Sequence, residues 1–512
     1  MKTTLKILLV NPTRVGADSY STPPLHLMYL KTAFAGVAGI SCEIFDASYQ
    51  TIRKLGVARN LFGEVLLNKK HEIEEELIRE ICSKDFDILG IGGIVPCFHF
   101  AERVAVAAAK VRPEAWIVVG GGLGLPLKEL WAGMPVHFLV EGDGEISFSQ
   151  VVQAYPDPQK ARAVRGVHSR DNGSWKGSAP ELPANLDYIG FPDWDDVDHA
   201  YFIDIMREWM FVAMPQEFHP ELRNARLLPV VFSRGCSYQC TFCFHFNRLH
   251  RKHSVEYVIR HLKHLKEKYG INMVNTWDEL IVADRRWFLK LCQALKEENL
   301  GIRLFMAGGK PNLIDREMVQ AMKEAGVVRI SYGTESGSPR MLKIMKKMVT
   351  VEENREAVKI SMAGGVFTHL NMVIGMPGEN EGTLAETRGF LLQLQKEAGI
   401  SSQNVSFAFA TAYPGTELFD QAVKAGLVKD LRSYVMECRG VVSYYLDLCG
   451  MGERRLWRFI DGIQIEMNFH EYLKKFKWNK LSSLMFVRIP KFMVKYYLPE
   501  SWGKYLRRKL GR

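Results

Sequence analysis

The sequence predicts an α/β protein: an N-terminal doubly wound parallel sheet, then an open six-stranded (β/α)6 partial TIM barrel, and a mostly helical C-terminal extension. Three observations carry this reading. Short, near-continuous apolar runs alternate with helix-length stretches over residues 1–150 and again over 227–430, as parallel βαβ units covered on both faces require. Glycine-rich or polar turns follow many of these runs at their carboxyl ends, the edge at which open α/β sheets and barrels bind ligands. Beyond about residue 430 the alternation stops.

In the first unit, residues 1–150, the strand candidates are LKILLV (5–10), CEIF (42–45), DILGIGG (87–93), WIVVGGG (116–122) and FLVEGDGE (138–145). Residues 151–226 break the pattern with a hairpin-like VHSRDNGSW and the Pro- and Asp-rich FPDWDDVDHAY, and read as a linker crossing one face of the next unit. The second unit, 227–430, offers six strands: LPVVFS (228–233), INMVNTW (271–277), IRLFMA (302–307), VVRISYG (327–333), LNMVIG (370–375) and VSFAFAT (405–411). Helices fall between them. Val255, Val258, Ile259, Leu262 and Leu265 share one helix face, with Ser254 as N-cap and Gly270 as C-cap. Asp315 and Gly326 punctuate another helix in the same way. Residues 431–512 form the extension.

A chain of 512 residues with 47% apolar and 24% charged residues is of the globular type and long enough for two or three cores. The net charge of +10 resembles a nucleic-acid signal until it is located. From Lys474 to Arg512 there are twelve Lys or Arg against the single acid Glu500, whereas the preceding 473 residues carry 55 bases and 56 acids. The excess belongs to the tail, so nucleic acid is not the expected partner. The apolar run before Asn11-Pro12 is too short for a secretory signal, which points to a cytoplasmic protein without disulfides.

The chemistry concentrates in SRGCSYQCTFCF. Cys236, Cys240 and Cys243, spaced C-x3-C-x2-C directly after the first barrel strand, can hold three irons of a four-iron, four-sulfur cluster and leave the fourth open to a ligand. A structural zinc site with His245 as fourth ligand is the competing reading, but no second ligand pair accompanies it. The other six cysteines are scattered and read as buried apolar residues. Later strand ends carry Trp277-Asp278-Glu279, Gly333-Thr334-Glu335-Ser336-Gly337, Gly375-Met376-Pro377-Gly378-Glu379 and Tyr413-Pro414-Gly415-Thr416. Each alone could be a turn or a helix cap. Their recurrence at successive strand ends, in step with the cysteine loop, is far more specific.

On these motifs, residues 1 to about 430 resemble the cobalamin-dependent radical S-adenosylmethionine (SAM) proteins. The resemblance implies a [4Fe-4S] cluster on Cys236, Cys240 and Cys243 whose open iron chelates SAM and cleaves it reductively to a deoxyadenosyl radical. It implies SAM contacts from Phe242, from Asp278 with Glu279 near the amino group, from Glu335 with Ser336 at the ribose, and from Gly375, Pro377 and Gly378. It implies cobalamin contacts from Gly92, Gly93, Gly120, Gly121, Gly122, Glu141, Gly142 and Glu145. One departure stands out: Asp46-Ala47-Ser48 has serine where histidine-ligated corrinoid proteins have the ligand, and His26 and His99 are isolated, so cobalt without a histidine is expected.

The implied function is methylation of an unactivated carbon of a hydrophobic small molecule (lipid, isoprenoid or tetrapyrrole-like), with an external donor such as flavodoxin or ferredoxin. Alternatives are radical ring formation such as tetrapyrrole cyclisation, RNA methylthiolation, or a non-catalytic corrinoid-binding protein. No catalytic residue is assigned, although Tyr332 and Tyr413 fall near the rim. The tail interleaves Lys and Arg with aromatics, and Leu481, Leu484, Met485 and Ile489 form one side of a helix that Pro490 ends or kinks, which suggests contact with a membrane surface.

Overall fold

The computed structural model describes residues 4–14, 22–55, 64–213, 220–475 and 477–497. All five strands expected in the first unit form: β1 (Leu5–Asn11), β2 (Ile40–Asp46), β3 (Ile88–Gly93), β4 (Trp116–Gly121) and β5 (Phe138–Val140). They lie parallel in the order β2-β1-β3-β4-β5, so the order reverses between β1 and β3, where such sheets open a ligand crevice. Gly92 pairs with Gly120 and Gly93 with Gly121, which sets the glycine ends of β3 and β4 side by side.

The hairpin does not belong to a free linker. Its strands β6 (Val167–Asp171) and β7 (Ser174–Gly177) add antiparallel to β5 and extend the sheet to seven strands. Asn172 and Gly173 turn it with φ of 50° and 82°. The following helix, His199–Ala213, buries Phe202, Ile203 and Met206 in one core with Leu25, Met28 and Tyr29 of the first unit and Leu228 and Val230 of the barrel.

The barrel strands are β8 (Leu227–Val230), β11 (Met273–Thr276), β12 (Arg303–Gly309), β13 (Val327–Glu335), β14 (Phe367–Ile374) and β15 (Val405–Phe409), all parallel and in sequence order. Between β8 and β11, the two-residue strands β9 (Ser233–Arg234) and β10 (Arg251–Lys252) pair antiparallel and pinch the cysteine loop at its base. The capping signals hold: Ser254 accepts from the Tyr257 amide at 3.1 Å, and Gly270 ends the helix at φ 64°.

An open barrel leaves β15 with an unpaired edge, which a protein must cover. The extension does this. The Phe409 amide donates to the Val441 carbonyl at 2.7 Å, and the helix Glu453–Lys474 lays Leu456 and Ile460 against Ile374 and Phe409.

The tail folds back on this helix. Lys495 pairs with Asp461 at 2.8 Å, and Leu481 and Leu484 are buried. Met485, expected on the same face, is 47% exposed. The helix does not stop at Pro490, because a π turn over Leu484–Arg488 carries the chain through; the wider turn shifts the face presented by the residues around it. The end of the tail, 498–512, lies outside the described residues. Among the described residues, no helix is long and apolar enough to cross a membrane.

A buried polar cluster fixes the loop after β1. Glu74, 3% exposed, accepts from the Thr13 hydroxyl, from His99 Nε2 at 3.2 Å and from Arg103 Nη1 at 2.9 Å. Burial opposes its charge, but His99, Lys70 and Thr13 outweigh it and bring the carboxyl from 4.5 down to about 2. A depressed folded value stabilises above the unfolded value and is lost as pH falls through the folded one. Glu74→Gln is therefore expected to cost about 3 kcal/mol at neutral pH. It should also flatten the acid limb of a denaturation series between pH 4.5 and about 2. An acid limb identical to wild type would refute the assignment.

Candidate active site

The sequence places three thiols on one loop; in the structure Gly235, Phe246 and Asn247 of that loop line a cavity with the glycine edge of the first sheet, and the three cysteines are not among its lining residues. Cys236, Cys240 and Cys243 are all free and half-buried. Cys243 donates to Cys240, which together with Lys347 and Lys310 holds the Cys240 thiol low against burial. No three His, Cys, Asp or Glu side chains among the described residues converge on a single metal ion. That does not disfavour a cluster, whose irons occupy separate corners and take one thiolate each. The donor set fits: three adjacent thiols with cationic side chains beside them and no carboxylate in the loop to compete.

Behind the loop lies a pair that the sequence did not reveal. Glu335 ends β13 in a left-handed conformation, φ 59°, and its Oε1 accepts from Lys347 Nζ at 2.7 Å, with side-chain exposures of 8% and 12%. Burial disfavours the charge on Lys347, but the Glu335 carboxylate more than compensates and raises its affinity for the proton. A Cβ on Gly333 would stand 2.4 Å from Glu335 Oε1 and 2.6 Å from Lys347 Nζ, so a side chain there would displace the pair from its present position. Lys310 Nζ lies 4.0 Å above the Tyr238 ring and donates to the Lys347 carbonyl; burial and the Lys347 charge push it down to about 8. Nothing in MKKM distinguishes Lys347 from Lys346, whose ammonium reaches the exposed Glu417 instead.

Other expected contacts are spent elsewhere. The Asp278 carboxylate accepts from the Phe232 and Ser233 amides and from Ser233 Oγ at 2.6 Å, so it ties down the end of β8 rather than facing the cavity. Burial pushes it up to about 7, with Ser233 restraining the shift. Glu279 is the member of that pair that lines the cavity. Ser336 Oγ shares a hydrogen with Thr387 Oγ1 at 3.1 Å and accepts from the Ser338 amide, holding the turn from within. Glu379 accepts from the Gly375 amide and is driven by burial up to about 7, so the turn from Gly375 through Pro377 and Gly378 is braced from inside. Phe242 packs into the core shared by the two units. Tyr332 is fully buried, its hydroxyl on Ser361 at 2.8 Å, and faces the helix layer rather than the rim.

One cavity of about 470 Å³ joins the two units. From the first sheet it takes Gly92, Gly93, Gly120, Gly121, Gly142 and Gly144; from the barrel it takes Ser233, Arg234, Gly235, Trp277 and Glu279. At Gly120 an added Cβ would meet nothing nearer than 3.7 Å, so the missing side chain leaves room for a ligand against bare backbone. A backbone-walled, largely apolar cleft at a sheet switch point fits a corrin ring. Of the expected cobalamin contacts, Gly122 and Glu141 do not line it; Glu141 pairs with His168 of β6 at 2.8 Å. Glu145 lines it but gives Oε1 to Arg234. His26 lines it too, its Nε2 3.1 Å from the Gly92 carbonyl.

A cysteine loop after the first barrel strand, with carboxylate and glycine turns at the later strand ends, defines a radical SAM domain. Residues 230–391 match the Radical SAM superfamily. The wider resemblance read from the sequence holds as well. The chain is 27% identical over 435 residues to an uncharacterised methyltransferase of Pyrococcus horikoshii, covering 83% of this chain and 84% of that one. Its fold matches the cobalamin-dependent SAM radical enzyme OxsB, solved with aqua-cobalamin and S-adenosylmethionine, at TM-score 0.65 and 16% identity over 99% of this chain and 75% of that one. It also matches the radical SAM methyltransferase TsrM of Kitasatospora setae, solved with cobalamin and a [4Fe-4S] cluster, at TM-score 0.61 and 16% identity over 82% and 75%.

Proposed function

We propose that this chain is a cobalamin-dependent radical SAM enzyme that methylates an unactivated carbon of a hydrophobic small molecule. The observation that carries the reading is the shared cavity: the glycine edge of the first sheet and the base of the three-thiol loop face each other across one apolar space. With a [4Fe-4S] cluster, SAM and cobalamin bound, these groups would supply the radical and methyl-transfer chemistry. The chain's own residues position these groups and exclude water. Cys236, Cys240 and Cys243 hold the cluster. Lys347 and Lys310 offset the negative charge of the thiolates, and Glu335 is oriented by Lys347 at the strand end where a ribose is expected. Glu279 is the carboxylate available to an amino group. Gly92, Gly93, Gly120, Gly121 and Gly142 present backbone to the corrin.

The cavity wall supports a lipophilic substrate. Ile94 and Phe246 are 43% and 41% exposed, and both open onto the cavity beside Leu27, Val140 and Trp277. The test is anaerobic purification with iron and cobalt analysis, followed by incubation with methyl-labelled SAM and a hydrophobic extract. Label in an apolar product supports the reading; label confined to water-soluble products overturns the substrate class.

Peripheral membrane contact through the tail belongs to the same proposal. Trp478, Met485 and Met493 are 61%, 47% and 47% exposed among Lys477, Lys480 and Lys491. Trp478→Ser/Met485→Ser/Met493→Ser is expected to lower co-sedimentation with anionic vesicles by roughly tenfold at low salt. Unchanged sedimentation ends the idea.

A further inference from the structure

The turn after β5 and the base of the cysteine loop meet in a buried cage of four charges. Arg234 and Arg251 are cross-strand partners in the β9–β10 ribbon, one on each side of the loop that carries the thiols. Asp143 and Glu145 come from the turn that ends β5 and begins the helix Glu145–Ala154. Arg234 Nη2 lies 2.8 Å from Glu145 Oε1 and its Nη1 3.4 Å from Asp143 Oδ2; Arg251 Nη2 lies 2.6 Å from the same Asp143 oxygen. Side-chain exposure is 16% for Arg234, 12% for Asp143, 4% for Glu145 and zero for Arg251. The first unit reinforces the contact through Tyr29, whose ring lies 5.3 Å from the Arg234 guanidinium and whose hydroxyl accepts from the Val231 amide at 3.3 Å.

We propose that Arg234, Arg251, Asp143 and Glu145 are positioning residues: a buried ionic joint that locks the glycine edge of the first sheet to the cysteine loop and so fixes the spacing of the two cofactor sites. The inference rests on the function proposed above and deepens it. Each carboxylate sits within a few residues of the glycines that face the corrin, and Arg234 sits two residues before the first cysteine. Shared hydrophobic cores hold the two units together, and at this seam the charge cage adds a directional constraint, because in a low-dielectric site any separation leaves charges unpaired. The methyl donor and the carbon radical must meet at a near-attack distance, which is what such a joint secures. The pair Arg432–Glu102, which links the extension to the first unit away from this seam, has Arg432 47% and Glu102 10% exposed and serves as the control.

The experiment is pulsed EPR on the full chain loaded with cobalamin and cluster, both poised paramagnetic, reading the dipolar distance distribution between them. Wild type and Arg432→Ala are expected to give one narrow distribution. Asp143→Asn/Glu145→Gln, with iron and cobalt contents matching wild type, is expected to broaden it roughly twofold or more. An unchanged distribution in that variant overturns the joint. Where the double variant does not load, Glu145→Gln alone is read in the same way. A wild-type chain that binds neither group refutes the functional reading and not the joint. In that case hydrogen exchange of the cofactor-free chain decides: peptides spanning 138–145 and 230–236 should exchange faster together in the double variant, and unchanged exchange overturns the proposal.

Discussion

Replacing Cys240 with alanine is expected to abolish reductive cleavage of SAM, by roughly a thousandfold or more, with loss of the bound cluster. The three thiols sit on one loop, so removing one leaves an iron without its thiolate. The fold should survive, because the loop is pinched at its base by the β9–β10 pairing and its cysteines are only half-buried. Cys292→Ala is the matched control. Cys292 is 1% exposed in the barrel core, far from the loop in role, and its removal should cost some stability and no iron. Iron analysis and 5′-deoxyadenosine formation check both variants. Equal iron loss in the two would refute the assignment.

Lys347→Met is expected to cost about 3–5 kcal/mol of stability, because it leaves the Glu335 carboxylate buried and unpaired. The pair is largely enclosed, so solvent does little to screen the loss. Glu335→Gln in the Lys347→Met background should recover most of the deficit, since the uncompensated charge is then gone. SAM binding should not recover, because both groups at the strand end have been altered. A thermal denaturation cycle over the four proteins separates these effects. A double variant no more stable than Lys347→Met would show that the two side chains do not act as a pair.

The strands were legible because buried parallel strands must be apolar on both faces, and every expected run became a strand. The Val167–Gly177 hairpin was legible as a hairpin from Asn172-Gly173, but its docking onto β5 was not, since a short ribbon carries no signal naming its partner. The same limit governs the site. Motif spacing located Glu335, Asp278 and Ser336 at the right strand ends, yet the partners of Asp278 and Ser336 are amides and hydroxyls in other segments, which spacing does not encode. Arg234 and Glu145 lie 89 positions apart, and only folding brings the two together. Lys346 and Lys347 are adjacent and chemically identical; a left-handed turn at Lys346 (φ 53°), just past the helix Pro339–Ile344, sends the first to the exposed Glu417 and the second to the buried Glu335.

On the function proposed above, the cysteine loop holds a cluster with one iron free to bind and split SAM. The direct measurement is formation of 5′-deoxyadenosine from SAM by the anaerobically reconstituted, chemically reduced full chain, alongside its iron and cobalt content. Stoichiometric 5′-deoxyadenosine with about four irons and about one cobalt per chain is the expected result. A fully assembled cluster that leaves SAM intact, or a chain that takes up zinc and no iron, would contradict it.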